Sequence, residues 1–512
     1  MTRRLAAILA LYLAISLIPR IPARAQNSLP RFETSACPFT PGTGFTEGQN
    51  VRCGFLLVPE NRAKPNSPTI QLAVAIFHPF APQPAPDPVI LLGGGPGDPT
   101  VGGIGPVLSS FNADFFLGDH DLILIDQRGT GFSRPSLLCD QVTQADYQSL
   151  STPQPVAQQV AAEAQAYTAC RQQLLAAGVD LSAYNTTENA ADIADLRTAL
   201  GYQSVDLFGI SYGTRLAQAV MRDHPEGIRA VVLDSVVPPS LDLFTGLTRA
   251  YPYAFHLLFH GCARSSSCHH AYPHLAAVFS ALIARLDAHP ITVKVRDPHS
   301  LRRYPVALTG FDFAVLLFKA QYVTPFIPTL PAMIWQTAHG KYGLLKRIFT
   351  VIGFPLTGES LGMQASVLCS EDAPATSDAQ IVAAAAGAPA SLRPDLETAM
   401  TGFLHLCAPW NVPPAPAIRR GPVTSSIPTL LLDGEYDPIT PPAYGAAVAA
   451  TLSHGTRVVF PGTGHGVTFS DPCPDTMVAA FFDDPAQPVN TDCIGAMTEP
   501  YFLLPSDSFN LP

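Results

Sequence analysis

Short uninterrupted apolar runs, each closed by glycine or a polar turn, recur along this chain. They predict strands of a sheet covered on both faces, since a one-sided sheet would alternate apolar with polar. Residues 88–92 end in Gly93-Gly94-Gly95-Pro96-Gly97, and 121–125 end in Asp126-Gln127-Arg128-Gly129-Thr130-Gly131. Residues 205–208 run into Gly209-Ile210-Ser211-Tyr212-Gly213, 230–233 follow, and 429–432 and 457–460 come much later. Residues 54–59 and 69–77, rich in β-branched and aromatic side chains, predict an N-terminal antiparallel pair. Helical patterns separate the later runs. One covers 190–200 before Gly201, with Thr187 the expected N-cap and Glu188 in the first turn. Alternating β and α elements predict an α/β fold with a mostly parallel sheet flanked by helices.

The strand pattern stops after Asp234 and resumes near Thr429. Helix-like stretches fill the gap at 275–288, 311–322, 333–349, 379–386 and 392–407. The expected organisation is a core of 26–237 and 425–512, interrupted by a mostly helical cap at 238–424.

Residues 1–25 read as an export leader: Arg3-Arg4, an apolar stretch from Leu5 to Ile18 too short to span a bilayer comfortably, then Ala23-Arg24-Ala25 before Gln26. Ten cysteines, an even number with no Cys-x-x-Cys pair, suit that destination better than a zinc site or a redox motif. A secreted or periplasmic protein is expected, with no stable membrane insertion once the leader is gone. Net charge is −10 and no Lys/Arg run follows the leader, which argues against nucleic acid as a partner.

Candidate chemistry centres on Ser211. A strand leading into Gly-x-Ser-x-Gly and a helix after it is the setting of a nucleophile elbow. Gly209 and Gly213 lack the Cβ atoms that would collide in so tight a turn, and the serine stands where helix N–H groups favour negative charge. A serine nucleophile needs a base, and the base an orienting carboxylate. His465, in a Gly-rich turn after the last apolar run, fits the base better than His454 or His120, which precede strands. Asp437 fits the acid, with Glu435 as the substitute acid and Asp433, which ends the strand, as the alternative cap of the turn. The amides of Tyr212 and Gly95 are the expected oxyanion donors. The glycine run lacks the ending of a P-loop and the spacing of a dinucleotide fingerprint, and no metal or organic cofactor is required. Asp126 and Arg128 read as a structural loop ion pair.

Gly94-Gly95-Pro96-Gly97, Asp126-Gln127-Arg128-Gly129-Thr130-Gly131-Phe132-Ser133, Gly209-Ile210-Ser211-Tyr212-Gly213, Gly434-Glu435-Tyr436-Asp437-Pro438-Ile439-Thr440-Pro441 and Gly464-His465-Gly466 occur in this order. Together they resemble the prolyl aminopeptidase and tripeptidyl aminopeptidase family of serine α/β-hydrolases. The segment holding Cys473 and Cys493 resembles that family's tripeptidyl-type C-terminal part. The resemblance covers most of the chain outside the leader and is weakest across the cap. It implies an α/β-hydrolase fold and an exopeptidase that releases one or a few residues from peptides with a free N-terminus. It also implies acids near the cap–core boundary to hold the terminal ammonium, for which Glu371 and then Asp372 are the candidates. Gly93 stands where prolyl-type members carry histidine, which argues against strict proline specificity. Two other readings use the same parts. An esterase or lipase could seat an acyl chain against Tyr251, Tyr253, Phe255 and Phe259, and a binding protein could use a silent hydrolase scaffold.

Overall fold

The computed structural model describes residues 29–81, 83–110, 118–298, 300–355, 357–415, 420–505 and 507; the expected leader lies outside them. Nine strands form one sheet. These are β1 (Arg31–Ser35), β2 (Val51–Pro59), β3 (Thr69–Phe77), β4 (Val89–Leu92), β5 (Leu122–Ile125), β6 (Val205–Ile210), β7 (Ile228–Asp234), β10 (Thr429–Gly434) and β11 (Gly455–Phe460). A separate hairpin pairs β8 (Ile291–Arg296) with β9 (Arg303–Leu308). The main sheet runs β1-β2-β3-β5-β4-β6-β7-β10-β11. β1, β2, β3 and β5 pair antiparallel; every contact from β5 through β4 to β11 is parallel.

The apolar runs fold as expected because both faces of the sheet are covered. All four residues of β4 are buried. Ile90 and Leu92 pack on one face with Leu207, Leu216 and Val231, while Val89 and Leu91 pack on the other with Phe208, Val232 and Phe481. The expected N-terminal pair is present and gains β1 at its outer edge, a strand too polar to show in the pattern.

Between β7 and β10 the chain is helical apart from the β8–β9 hairpin, and it builds its own core around Phe255, Phe279, Phe313 and Leu317. The hairpin was not expected, although Ile291-Thr-Val-Lys-Val-Arg296 alternates buried with accessible positions as a half-covered strand does. The single helix expected at 333–349 is two, Leu330–Ala338 and Gly343–Ile352, interrupted where Gly340 takes φ +75°. The helix expected to be capped by Thr187 is capped two residues earlier: Asn185 is the N-cap and accepts from the Glu188 amide.

The ten cysteines pair with their neighbours in sequence: 37–53, 139–170, 262–268, 369–407 and 473–493. Such bonds persist in oxidising compartments. No helix among the described residues is long and apolar enough to cross a membrane. The expected Asp126–Arg128 pair does not form. Arg128 is fully buried against Asp192, 2.8 Å away, and donates to the carbonyls of Glu60 and Ala183. Asp126 instead accepts the amides of Val101 and Phe132, tying the loop after β5 to the one after β4.

Candidate active site

Parallel strands deliver their following loops to one edge of the sheet. Here β4, β6, β10 and β11 do so, and their loops carry Gly94, Ser211, Asp437 and His465 to the same edge as Asp234, the last residue of β7.

Ser211 is the N-cap of helix Tyr212–Asp223 and holds φ 57°, ψ −124°, a backbone state few side chains accept. Two close approaches impose it. A Cβ on Gly209 would lie 2.5 Å from the Gly213 carbonyl oxygen, and one on Gly213 would run into the Leu92 carbonyl of β4. The Ser211 amide donates to the Asp234 carbonyl (2.9 Å), fixing the elbow to β7. The Tyr212 amide is then the first unpaired donor position of the helix, beside the hydroxyl. Gly94 packs directly against the elbow: a Cβ there would stand 3.2 Å from Ser211 Cβ. Gly95 is the next residue of that loop and is exposed.

His465 is held from three sides. Its amide donates to the Tyr322 carbonyl (3.0 Å), and the Gly464 amide donates to Thr324 Oγ1 (2.9 Å). The Gly466 amide donates to Ser235 Oγ (2.8 Å), and the amides of Val467 and Thr468 donate to the two oxygens of Asp234 (2.9 and 3.0 Å). His465 Nδ1 lies 2.8 Å from Asp437 Oδ2. A carboxylate there selects the Nδ1–H tautomer and leaves the Nε2 lone pair free to take a proton. Asp437 is itself fixed by donors from the Ile439 amide (2.9 Å), the Thr440 amide (2.8 Å) and Thr440 Oγ1 (2.6 Å).

Burial of the imidazole opposes its charged form, but Asp437, by charge and hydrogen bond, with Asp234 and Asp98 behind it, raises the His465 pKa above its ordinary value. Burial likewise opposes the Asp437 anion, yet His465 and Thr440 lower that pKa below the usual carboxylate range. An imidazole made more basic by a fully buried anion is suited to general-base work. Ser211 Oγ is not hydrogen-bonded to His465 in this conformation; such bonds often tighten only when substrate is seated. The neighbouring acids serve elsewhere: Asp433 pairs with Arg457 (2.6 Å) and Glu435 accepts the Gly462 amide (2.9 Å). His454 bonds the Ser426 carbonyl near the start of β10, and buried His120 bonds the Asp87 carbonyl before β4.

Asp234 therefore grips both the serine and histidine loops. Asp234→Asn, which keeps the shape but loses the charge and turns one acceptor into a donor, is expected to lower kcat/KM about 100-fold by letting the base drift. Its circular dichroism spectrum should stay native. A variant with native spectrum and native rate would refute the positioning role.

The family model described as "alpha/beta hydrolase fold" matches residues 87–261, and the one described as "TAP-like protein" matches 396–493. The chain is a serine hydrolase of the α/β-hydrolase fold with a TAP-like C-terminal part. Serine protease Hip1 of Mycobacterium tuberculosis is 26% identical over 453 residues, covering 84% of each chain. Putative hydrolase YuaR of Escherichia coli is 27% identical over 304 residues, 56% of each chain. Tripeptidyl aminopeptidase of Streptomyces lividans is 30% identical over 201 residues, 38% of this chain and 36% of that one.

Within this hydrolase the expectation for Glu371 and Asp372 is corrected. Both carboxylates are buried and already engaged by the protein. Glu371 accepts the Thr186 amide (2.6 Å) and Thr186 Oγ1 (2.9 Å), and lies 3.5 Å from Arg215. Asp372 pairs with Arg215 (3.2 Å) and Arg420 (3.5 Å). Arg215 lies on the nucleophile's own helix, so these acids seat that helix against the segment between β7 and β10. Sequence reasoning missed Asp98, Asp234, Tyr322 and Thr440 as neighbours of the base. Asp234 and Thr440 were findable, one closing an apolar run and the other three residues beyond Asp437. Tyr322, whose ring centroid is 5.1 Å from that of His465, comes from a helix with no motif.

Proposed function

We propose that the chain is an exported serine exopeptidase, an aminopeptidase acting on peptides with a free N-terminus, with 238–424 serving as the cap. The observation that carries this reading is the His465–Asp437 pair, 2.8 Å apart, at the sheet edge from which the Ser211 elbow also emerges. His465 Nε2 takes the Ser211 proton as Oγ attacks the scissile carbonyl carbon. Asp437 stabilises the imidazolium, and the amides of Tyr212 and Gly95 hold the developing oxyanion. Collapse expels the amine, which leaves with the proton carried by His465. Water, deprotonated by the same imidazole, then releases the acyl group from Ser211.

The five disulfides and the leader-like residues 1–25 support export to the periplasm or beyond. The names of two relatives, a serine protease and a tripeptidyl aminopeptidase, favour peptide bonds over other acyl substrates. Aminoacyl and tripeptidyl 4-nitroanilides, each with and without N-acetylation, supply the test. Acetylation is expected to lower kcat/KM at least about 10-fold, the scale of one lost charge-assisted hydrogen bond. Equal rates for free and acetylated substrates, or turnover of short acyl esters alone, would refute the aminopeptidase reading and favour an ester hydrolase.

A further inference from the structure

The carboxylate of Asp98 lies beside the Ser211 elbow, and its part in the mechanism above is only to help raise the His465 pKa. It follows the glycine turn after β4 and is aimed back at the elbow. A Cβ on Gly94 would stand 3.1 Å from Asp98 Oδ2 and 3.2 Å from Ser211 Cβ, so only the bare glycine separates the carboxylate from the nucleophile. Asp98 has no hydrogen-bond or ion-pair partner among the described residues. Burial raises its pKa above the ordinary carboxylate range, and His465 draws it back down. A desolvated carboxylate with no partner gains more from a cationic guest than one already paired.

The surrounding charges leave that place open. Glu359 is brought to the same turn by the Ser360 amide, which donates to the Gly97 carbonyl (2.9 Å). Its pKa is pushed up to about 7, first by burial and then by Asp98. Lys319 lies one helical turn before Tyr322, on the side of its helix that meets His465. It is solvent-accessible, and desolvation lowers its pKa. The acids that act on Lys319 are Asp146 and Glu359. Lys319 therefore serves the two outer acids, while the cation acting on Asp98 is His465, which is uncharged whenever it is ready to act as the base.

We propose that Asp98 binds the α-ammonium of the residue being released, and thereby sets the cut at one residue from the N-terminus. This rests on the aminopeptidase reading and deepens it. In an aminoacyl substrate the α-nitrogen is two bonds from the carbonyl carbon that Ser211 attacks. A group in contact with the nucleophile's own neighbour can reach it there. In a tripeptidyl substrate the ammonium lies about 7 Å farther along an extended chain, and Asp98 would face an uncharged amide instead.

The test uses the full chain, an alanyl and a trialanyl 4-nitroanilide, the N-acetylated alanyl anilide, and 4-nitrophenyl acetate. The wild-type enzyme is expected to prefer the alanyl over the trialanyl anilide. In Asp98→Asn the ratio of kcat/KM for the alanyl anilide to that for the acetate ester should fall about 10- to 100-fold, chiefly through KM. Asp98→Glu, which keeps the charge, should recover part of the ratio and so separate lost recognition from misfolding. An equal loss on anilide and ester would mean that Asp98 acts only through His465 and would overturn the assignment. A wild-type enzyme that releases tripeptides and not single residues would also overturn it, while leaving the aminopeptidase reading intact. Equal cleavage of free and acetylated alanyl anilide would remove that reading and this assignment with it.

Discussion

Ser211→Ala is expected to lower kcat by about six orders of magnitude, the scale on which serine hydrolases lose activity when the nucleophile is removed. A residual acceleration of about 10³ to 10⁴ over water should survive, because oxyanion donors and substrate binding remain. The fold should be untouched. The Ser211 side chain makes no hydrogen bond among the described residues, while its amide and carbonyl, which alanine retains, hold the turn to Asp234 and Thr214. Steady-state kinetics on the preferred anilide and labelling by an organophosphonate probe check this. Activity within 10-fold of wild type, or labelling at another residue, would show that the elbow is not the nucleophile.

Asp437→Asn is expected to lower kcat by about 10⁴, because an amide can present its NH₂ to Nδ1 and so favour the wrong imidazole tautomer. The pH profile supplies a second readout with a definite sign. His465 must be neutral to accept the serine proton, so kcat/KM rises with pH through the histidine pKa of the free enzyme. Burial lowers that pKa, but the Asp437 charge and hydrogen bond outweigh it and place the acid limb above the ordinary histidine value. Removing the charge should move the limb to lower pH even as the plateau falls. A limb that stays in place would mean that another acid governs the base.

The core of this molecule was legible because its strands are buried on both faces and therefore spelled as unbroken apolar runs. Val89–Leu92, Val205–Ile210 and Thr429–Gly434 stand out in the sequence for that reason, and the polar residues that close them fall at the functional edge. β1 was not legible, because Arg31–Ser35 is held mainly by backbone pairing to β2 along a partly open edge. The Asp437–His465 contact followed from chain order and strand ends. The partnership of Glu371 and Asp372 did not, because it depends on Arg215 arriving from a helix about 150 residues away in sequence, which no local pattern encodes. Asp98 escaped notice for a related reason. Beside a run of glycines it reads as an ordinary turn aspartate, and only the missing side chain at Gly94 brings it against the nucleophile.

The bond from the His465 amide to the Tyr322 carbonyl crosses from the sheet domain to a helix between β7 and β10. A minimal enzyme with that span excised would not be a less selective hydrolase of equal vigour. Its imidazole would have lost one of the struts that aim it, and catalytic speed would decline along with substrate choice. Shortening this protein therefore means rebuilding a support for the base before discarding the helix that now provides it.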